Sequence, residues 1–166
     1  MTLENRARLL IEQQKSTFEK IPGIVIIHLL KTSTVVYMST RGLEILGVTL
    51  DELIAMGHSY HDVFFNPEDA MDYVPKILGL LERNNNEETV AFFQQVRPHT
   101  EALWSWYASG TRIFMQDDEG KPYLTITVAL PIDSKHYFNN KIERLLEENE
   151  LLKNNQAIFA SLTKRE

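Results

Sequence analysis

Cysteine is absent from this 166-residue sequence. Its absence excludes disulfide bonds, thiolate zinc sites, cysteine nucleophiles and chromophores attached through a thiol. Because disulfides belong to oxidising compartments, a chain without cysteine is compatible with a reducing one, and we expect a cytoplasmic protein.

Long hydrophobic runs and an excess of positive charge are also missing. No apolar stretch approaches the roughly 20 residues that a membrane-spanning helix requires, and the charged, glutamine-rich start does not resemble a signal peptide. The formal net charge is −6 at pH 7, whereas a nucleic-acid-binding surface needs clustered cations. We therefore expect no membrane partner, and contact with DNA only through a domain beyond this segment.

Signatures of catalysis are missing as well. The sequence contains no nucleophile-elbow glycine pattern, no phosphate loop and no dinucleotide fingerprint. The best group of metal-ligand residue types is His58 and His61 with the nearby carboxylates of Asp62, Glu68 and Asp69. No motif sets the position of a third ligand, so this group of residues is weak evidence for a metal site. We expect no catalytic residue and no bound metal.

The most regular feature that is present is a pair of extended runs, residues 101–115 and 121–130. An acidic turn that ends at Gly120 joins them, which predicts a β-hairpin. In the second run, apolar residues such as Leu124 and Ile126 alternate with threonine and alanine. This period of two predicts that the apolar face packs on a core and that the milder face points outward.

The chain before the hairpin predicts a helix followed by two strands. A thin amphipathic stripe favours a helix over residues 1–20, and apolar runs at residues 24–30 and 35–38 favour strands. Thr49 and Glu52 then form the pattern of a capping box, which predicts the start of a short helix.

A longer helix is predicted to begin after Asn66, because Pro67 suits the first helical position, and to continue through Leu81. Pro75 lies inside this helix and is expected to kink or weaken it. The preceding residues, 58–65, are expected to be irregular but packed. A further strand is predicted at residues 89–96.

The character of the sequence changes after residue 133. Seam residues recur at alternating spacings of four and three, with no glycine or proline between them. The seam consists of Phe138, Ile142, Leu145, Asn149, Leu152, Gln156 and Phe159. A heptad seam of this regularity predicts two helices that pair in parallel, so we expect a homodimer.

The order of these elements and several short motifs resemble the PAS family. Residues 42–53 are similar to the family segment written lGys.eEl, and residues 64–69 to its hPeD entry into the long helix. Trp104 and Trp106, with the later turn at residues 118–120, resemble the tryptophan strand and the d.eG.p turn. The resemblance implies an α+β fold: a single PAS domain with an antiparallel five-stranded sheet and helices on one face.

The implied domain organisation has three parts. An N-terminal amphipathic helix at residues 1–20 precedes the PAS domain at residues 21–133, and a coiled-coil signalling helix follows at residues 134–166. Ile132, Asp133 and Ser134 stand where the family has its Asp-Ile-Thr hinge into such a helix, although the match is partial.

The resemblance also restricts cofactors. Flavin-type PAS photosensors bond through a cysteine, which this chain lacks. Haem-binding relatives often use a histidine on the long helix, and none lies between His61 and His99, so neither a cysteine-linked flavin nor haem is expected. Ser39 and Thr40 stand where the family often has an asparagine, so a ligand contact through that asparagine is not expected. A small apolar or amphiphilic ligand remains open, as does the absence of any ligand.

His28 is the lone polar residue on an otherwise apolar predicted strand. It is either a core histidine bonded to a neighbour or a polar group that orients a ligand in a pocket. The candidate pocket residues are Ile26, His28, Met38, Leu46, Tyr73, Ile77, Phe93, Trp106 and Ile126. For the large aromatic residues among them, core packing is the alternative.

Residues 162–166 read Leu-Thr-Lys-Arg-Glu and resemble the opening of a LuxR-type helix-turn-helix domain. This resemblance implies a dimeric sensory module that signals to a DNA-binding output beyond the segment. One alternative is the PAS input domain of a histidine kinase, for which His136 is the available histidine at the exit helix. Another alternative is a purely structural dimerisation domain.

Overall fold

The computed structural model describes residues 1–132 and 134–163. The chain divides into two compact units, Met1–Pro131 and Ile132–Glu166. The part of the hinge prediction that involves Asp133 and the part of the helix-turn-helix prediction that involves residues 164–166 lie outside the described residues. The N-terminal helix belongs to the same unit as the sheet, rather than standing apart from it.

The first unit contains five helices and five strands. In chain order they are α1 (Leu3–Phe18), β1 (Ile24–Leu29), β2 (Thr34–Met38), α2 (Thr40–Leu46), α3 (Leu50–Met56), α4 (Ser59–Phe64), α5 (Pro67–Arg83), β3 (Val90–Val96), β4 (Ser105–Gln116) and β5 (Pro122–Pro131).

The strands form one antiparallel five-stranded sheet in the order β2-β1-β5-β4-β3. The predicted hairpin of β4 and β5 is confirmed, and its last strand lies at the centre of the sheet between β1 and β4. The first strand of the hairpin begins at Ser105 instead of residue 101. A turn closed by the Ala102 N–H and the His99 carbonyl, 3.1 Å apart, occupies the preceding residues.

Local capping signals placed the helix starts correctly. The Thr49 hydroxyl accepts from the Glu52 N–H, and the Glu52 carboxylate accepts from the Thr49 N–H, which completes the capping box of α3. The Asn66 side chain caps α5 by accepting from the Glu68 N–H at 3.1 Å. Each such cap satisfies an N–H that has no partner inside the helix.

One expectation for the middle of the chain was wrong. Residues 58–65 are not irregular, because Ser59–Phe64 form α4 with Tyr60 and Phe64 buried. Pro75 lies inside α5, which continues as one helix from Pro67 to Arg83. A proline removes one backbone hydrogen bond, and the expected kink or weakening of α5 at this position stays a prediction.

The prediction that the helices of the PAS domain cover one face of the sheet is confirmed for α2 to α5, and the flanking N-terminal helix α1 covers the other face. On what we call the α1 face, Val25, Ile27 and Leu124 pack with Ala7, Ile11 and Phe18 of α1. On the opposite side, which we call the cavity face, residues such as Ile24 and Ile26 pack with α2, α3 and α4. Alternation along β1 sends neighbouring side chains to opposite layers.

The second unit is the single helix α6 (Ser134–Thr163). Four apolar members of the predicted seam are strongly exposed on it, namely Ile142, Leu145, Leu152 and Phe159. The polar members Asn149 and Gln156 are exposed as well. The side chain of Phe138 lies outside the described part. Among the described residues, no helix is both long enough and apolar enough to cross a membrane.

Candidate functional site

A cavity of about 270 Å³ lies between the cavity face of the sheet and helices α4 and α5. The lining residues from the sheet and its β1–β2 turn are Ile26, His28, Leu30, Ser33, Phe92, Gln94, Thr111, Thr125 and Thr127. Those from the helical side are Tyr60, His61, Phe65, Tyr73, Val74, Ile77, Leu78 and Leu81. Apolar walls with a few converging polar groups are typical of small-molecule sites.

Two wider grooves lie near the C-terminal end of α1. One, of about 400 Å³, is bordered by Glu19 and Arg41, and the other, of about 420 Å³, by Lys15 and Thr40. Both are more open to solvent than the cavity beside His28, which is itself bordered by the exposed side chains of Val74 and Leu78. The smaller cavity beside His28 is therefore the better candidate, because it is more enclosed and mainly apolar.

His28, Tyr60 and His61 form a ring cluster at one wall of the cavity. The His28 Nε2 atom lies 2.9 Å from the Tyr60 hydroxyl, which is hydrogen-bonding distance. The His28 and His61 rings are nearly parallel, with centroids 6.1 Å apart, and the Tyr60 ring lies 4.2 Å from that of His61. Strand β1 supplies His28, and helix α4 supplies Tyr60 and His61. The cluster therefore depends on the helical conformation of residues 59–64.

Burial keeps this cluster uncharged. It lowers the pKa of His28 to about 3, with a smaller contribution from neighbouring His61. Burial also lowers the pKa of His61 against the opposing effect of Asp62, and it raises the pKa of the Tyr60 phenol. Desolvation disfavours the charged form of each group. At neutral pH the cluster therefore consists of two neutral imidazoles and a protonated phenol.

A second set of polar groups lies on the sheet side. The hydroxyl oxygens of Thr111 and Thr127 are 2.7 Å apart and bond to each other across β4 and β5. The Gln94 amide donates to the Ser109 hydroxyl at 3.1 Å. All four side chains are buried. Buried polar groups that satisfy one another are a stable way to place hydrogen-bonding atoms beside an apolar space.

Four of the predicted pocket residues line the cavity: Ile26, His28, Tyr73 and Ile77. The other five do not. Met38 and Leu46 lie in the neighbouring packed core beside a void of only about 20 Å³. Ile126 packs on the α1 face, and Phe93, which is 51% exposed, and Trp106 alternate with the cavity-facing residues of β3 and β4. Whether the four lining residues bind a ligand stays a prediction.

For Ile126, Phe93 and Trp106 the misplacement has one cause, which is the choice of strand face. Apolar alternation in β5 was expected to face the core while threonine pointed outward. Instead Thr125 and Thr127 are buried, at 3% and 6% exposure, and face the cavity. A sheet covered on both sides has no outward face at its central strand. Thr125 and Thr127 alternate with apolar residues on a strand that lies between two other strands. These threonines are the sequence signal that could have identified the site.

Other lining residues were missed because their elements were misread. Tyr60 and His61 belong to α4, which was expected to be irregular. Phe92 and Gln94 point to the cavity, while the predicted Phe93 lies one residue out of phase.

Of the two histidines in the candidate metal group, His58 is exposed whereas His61 borders the cavity. Within residues 1–132 and 134–163, no group of three or more His, Cys, Asp or Glu residues is placed to hold a metal ion.

Comparison with known proteins finds no matching family model and no matching curated protein. The fold, in contrast, matches many solved structures. A PAS domain from Colwellia psychrerythraea superposes with a TM-score of 0.58 at 10% identity, over 76% of this chain and 99% of that one. The chain has the PAS fold.

Two other PAS-fold structures show the range of similar proteins. A light-oxygen-voltage domain studied with a flavin analogue matches with a TM-score of 0.55 at 18% identity, over 85% of this chain and 95% of that chain. The N-terminal domain of a diguanylate cyclase with a PAS/PAC sensor, from Marinobacter aquaeolei, matches with a TM-score of 0.53 at 16% identity, over 69% and 99%. The expected five-stranded PAS sheet is thereby confirmed for this chain.

Proposed function

We propose that this chain is a sensory module whose PAS core binds a small ligand and whose C-terminal helix transmits the result. The observation that carries the proposal is the cavity of about 270 Å³ with buried polar side chains on one wall and apolar side chains on the others. A core that served packing alone would gain stability by filling such a space, because empty volume in a core is destabilising.

The connection between ligand and output runs along a single strand. Thr125 and Thr127 of β5 border the cavity, and the same strand ends at Pro131. Helix α6 begins at Ser134. A ligand that displaced these threonines would act on a strand that continues within a few residues into the helix. Such a displacement counts as signalling only if the ligand binds the two states of the helix unequally.

We further propose that α6 pairs two copies of the chain in parallel. The support is the set of strongly exposed apolar side chains at heptad spacing, of which Leu145 and Leu152 occupy d positions. Asn149 lies at an a position, where a polar residue favours a defined register at some cost in stability. We expect Asn149→Leu to tighten association and to loosen the choice of oligomer, as measured by sedimentation.

The proposed output is a helix-turn-helix domain that binds DNA. Its support is the LuxR-like sequence at residues 162–166, and the net charge of −6 makes contact between DNA and this segment itself unfavourable. The rival output is a signalling enzyme such as a histidine kinase, and sensor domains of signalling enzymes, including that of the diguanylate cyclase, share this fold. A purely structural dimer is the third possibility, and it predicts that ligands have no effect on α6.

The absence of cysteine allows a direct test of pairing and signalling. Leu152→Cys should form a disulfide-linked dimer under mild oxidation, because equivalent d positions adjoin in a parallel, in-register pair. Asn154→Cys, two residues further along the helix on its outer side, is the matched control and should cross-link far more slowly. A monomer in sedimentation at micromolar concentration, or equal cross-linking of both variants, would contradict the proposal.

Occupation of the cavity is tested separately by filling it. We expect Thr127→Phe to lower the amount of small molecule that co-purifies with the chain, detected by native mass spectrometry. Leu130→Phe on the same strand is the control, because Leu130 is 46% exposed and does not line the cavity. The sensory proposal fails if a folded Thr127→Phe protein retains its ligand, or if ligand saturation leaves the Leu152→Cys cross-linking rate unchanged.

The DNA-binding part has its own experiment. The 166-residue chain alone should give no salt-sensitive mobility shift with duplex DNA, because its net charge is −6 and its Lys and Arg residues form no basic stripe in the sequence. A shift that weakens steeply with salt would show that this segment itself contacts DNA.

A further inference from the structure

We propose that the cavity takes a small uncharged ring compound with one hydrogen-bonding group, and that the Tyr60–His28 pair recognises this group. The inference rests on the proposed function, because it assumes that the cavity binds a ligand, and it adds the chemical class of that ligand.

The exclusion of charge comes from the lining. No Asp, Glu, Lys or Arg residue is among the described residues that border the cavity. The only residues there with a basic side chain are His28 and His61, and burial lowers the pKa of both. An ion that entered would lose its hydration without gaining a counter-charge, and unpaired charges in an apolar space are very unfavourable.

The preference for a ring comes from the shape and composition of the walls. Six lining side chains carry rings, namely His28, Tyr60, His61, Phe65, Tyr73 and Phe92. The Tyr73 and Phe92 rings lie 5.2 Å apart at an angle of 26°, so an aromatic pair from α5 and β3 forms part of the wall. Aromatic surfaces favour stacked or edge-on partners. The volume of about 270 Å³ lies slightly below the roughly 300–1,000 Å³ of sites for drug-sized ligands, which limits the ligand to a compact molecule.

The hydrogen-bonding requirement comes from counting protons in the Tyr60–His28 pair. A neutral imidazole has one N–H, and the phenol has one O–H. The 2.9 Å contact uses one of these two hydrogens, whichever group donates. If the phenol donates, the remaining hydrogen is on His28 Nδ1; if Nε2 donates, it is on the Tyr60 oxygen. The pair therefore always keeps one donor, and shifting that donor between the two groups requires no net charge.

A set of probes with one framework separates charge from shape. Benzamide is neutral, benzoate is its anionic counterpart and benzamidine is protonated at pH 7, while all three share the same arrangement of non-hydrogen atoms. We expect benzamide to bind the ¹⁵N-labelled 166-residue chain at least roughly tenfold more tightly than either ion. The readout is the titration of backbone amide resonances of lining residues such as Tyr60 and Thr127 in two-dimensional NMR spectra.

A second pair of probes tests the Tyr60–His28 pair. Acetophenone has a carbonyl acceptor, and α-methylstyrene has the same connectivity of non-hydrogen atoms without that acceptor. In the double variant Tyr60→Phe/His28→Leu, which removes both hydrogens of the pair, the affinity ratio of acetophenone to α-methylstyrene should fall roughly three- to tenfold, the value of one hydrogen bond. Either single substitution leaves a donor on the other group and should lower the ratio less. Tyr37→Phe is the matched control and should leave the ratio unchanged, because Tyr37 is buried on the α1 face. If the double variant does not fold, the unmodified chain still tests the pair, because it must bind acetophenone roughly three- to tenfold more tightly than α-methylstyrene.

The outcomes separate this inference from the proposed function. Tight binding of neutral probes and weak binding of ions, with an acetophenone to α-methylstyrene ratio that falls in Tyr60→Phe/His28→Leu, would support the inference. Equal binding of benzoate and benzamide at lining residues would overturn the neutral class while leaving the cavity a binding site, and an unchanged ratio in the double variant would overturn the role of the pair. If none of the probes perturbs a lining residue, the ring-compound class fails, whereas the ligand-binding function is decided by the Thr127→Phe test.

Discussion

The two faces of the one sheet show opposite uses of the same strands. On the α1 face, Val25 and Ile27 are completely buried in contact with α1, and the layer is apolar and filled. On the cavity face, the alternate residue His28 borders an empty space together with the hydroxyls of Thr125 and Thr127. One face contributes packing, and the other keeps hydrogen-bonding groups beside a void.

The comparison teaches that the more hydrophobic side of a strand is not always the side of the site. In β5, the apolar members Leu124, Ile126 and Val128 pack beneath α1, whereas the threonines border the cavity. In a packed layer, each apolar carbon that is buried adds to the free energy of unfolding. A site instead needs a small number of oriented polar groups, and threonine supplies these within a strand because its β-branched side chain suits extended backbone.

The largest expected effect distinguishes filled from unfilled packing. Ile27→Ala should lower the free energy of unfolding by about 4 kcal/mol, because it opens a new void in a layer where Ile27 is 0% exposed. Ile26→Ala should cost only about 2 kcal/mol, since Ile26 already borders the cavity and loses fewer contacts.

Urea denaturation of the two alanine variants measures this difference. Equal losses of stability would mean that the cavity face is packed as tightly as the α1 face, and the contrast between them would then be wrong.

A smaller effect is expected from the buried hydroxyl pair. Thr111→Val should cost about 1–2 kcal/mol, because it leaves the Thr127 hydroxyl without the partner that lies 2.7 Å away. Adding Thr127→Val should restore much of the loss, since two apolar groups of the same shape leave nothing unsatisfied. A double-mutant cycle by chemical denaturation measures the coupling. Additive losses would indicate that the two hydroxyls act independently.

On the α1 face, a hydrogen bond at the edge of the packed layer should contribute less. The Tyr37 hydroxyl donates to the Glu19 carboxylate at 2.8 Å, and that carboxylate also accepts from the Thr40 N–H. We expect Tyr37→Phe to lower the free energy of unfolding by about 1 kcal/mol without changing any ligand affinity. A change in ligand affinity would show that the two faces are coupled.

At neutral pH the smallest effect on stability concerns His28, and it grows only in acid. The pKa of His28 is lowered to about 3 in the folded chain, whereas an unfolded histidine has a pKa of about 6.5. Between these values the unfolded state binds more protons, so stability should fall as the pH drops below about 6.5.

Chemical denaturation at pH 7, 5.5 and 4.5 tests this sign. The loss of stability should be smaller in His28→Gln than in the unmodified chain, whereas the exposed-site control His99→Gln should follow the unmodified chain. Identical pH profiles for His28→Gln and the unmodified chain would contradict the burial of a neutral imidazole.

Much of the fold could be predicted because its signals are local. The capping box at Thr49 and Glu52, the Asn66 cap and the turn before Lys121 are formed by residues within a few positions of one another. The site was harder to predict from the sequence. It depends on which face of each strand meets which helix, and a shift of one residue moves every side chain of a strand to the other face. Phe93 in place of Phe92 is one such shift.

By itself, the sequence determined the order of elements, the hairpin, the helix caps and the heptad spacing, because these follow from backbone propensities and short-range contacts. Only the tertiary structure decided that α1 covers one face of the sheet, that residues 59–64 are helical, and that the space beside His28 stays open. The reason is physical. Which layer meets which, and whether it fills, depends on the summed volumes of side chains far apart in the chain, and a periodic pattern does not encode that sum.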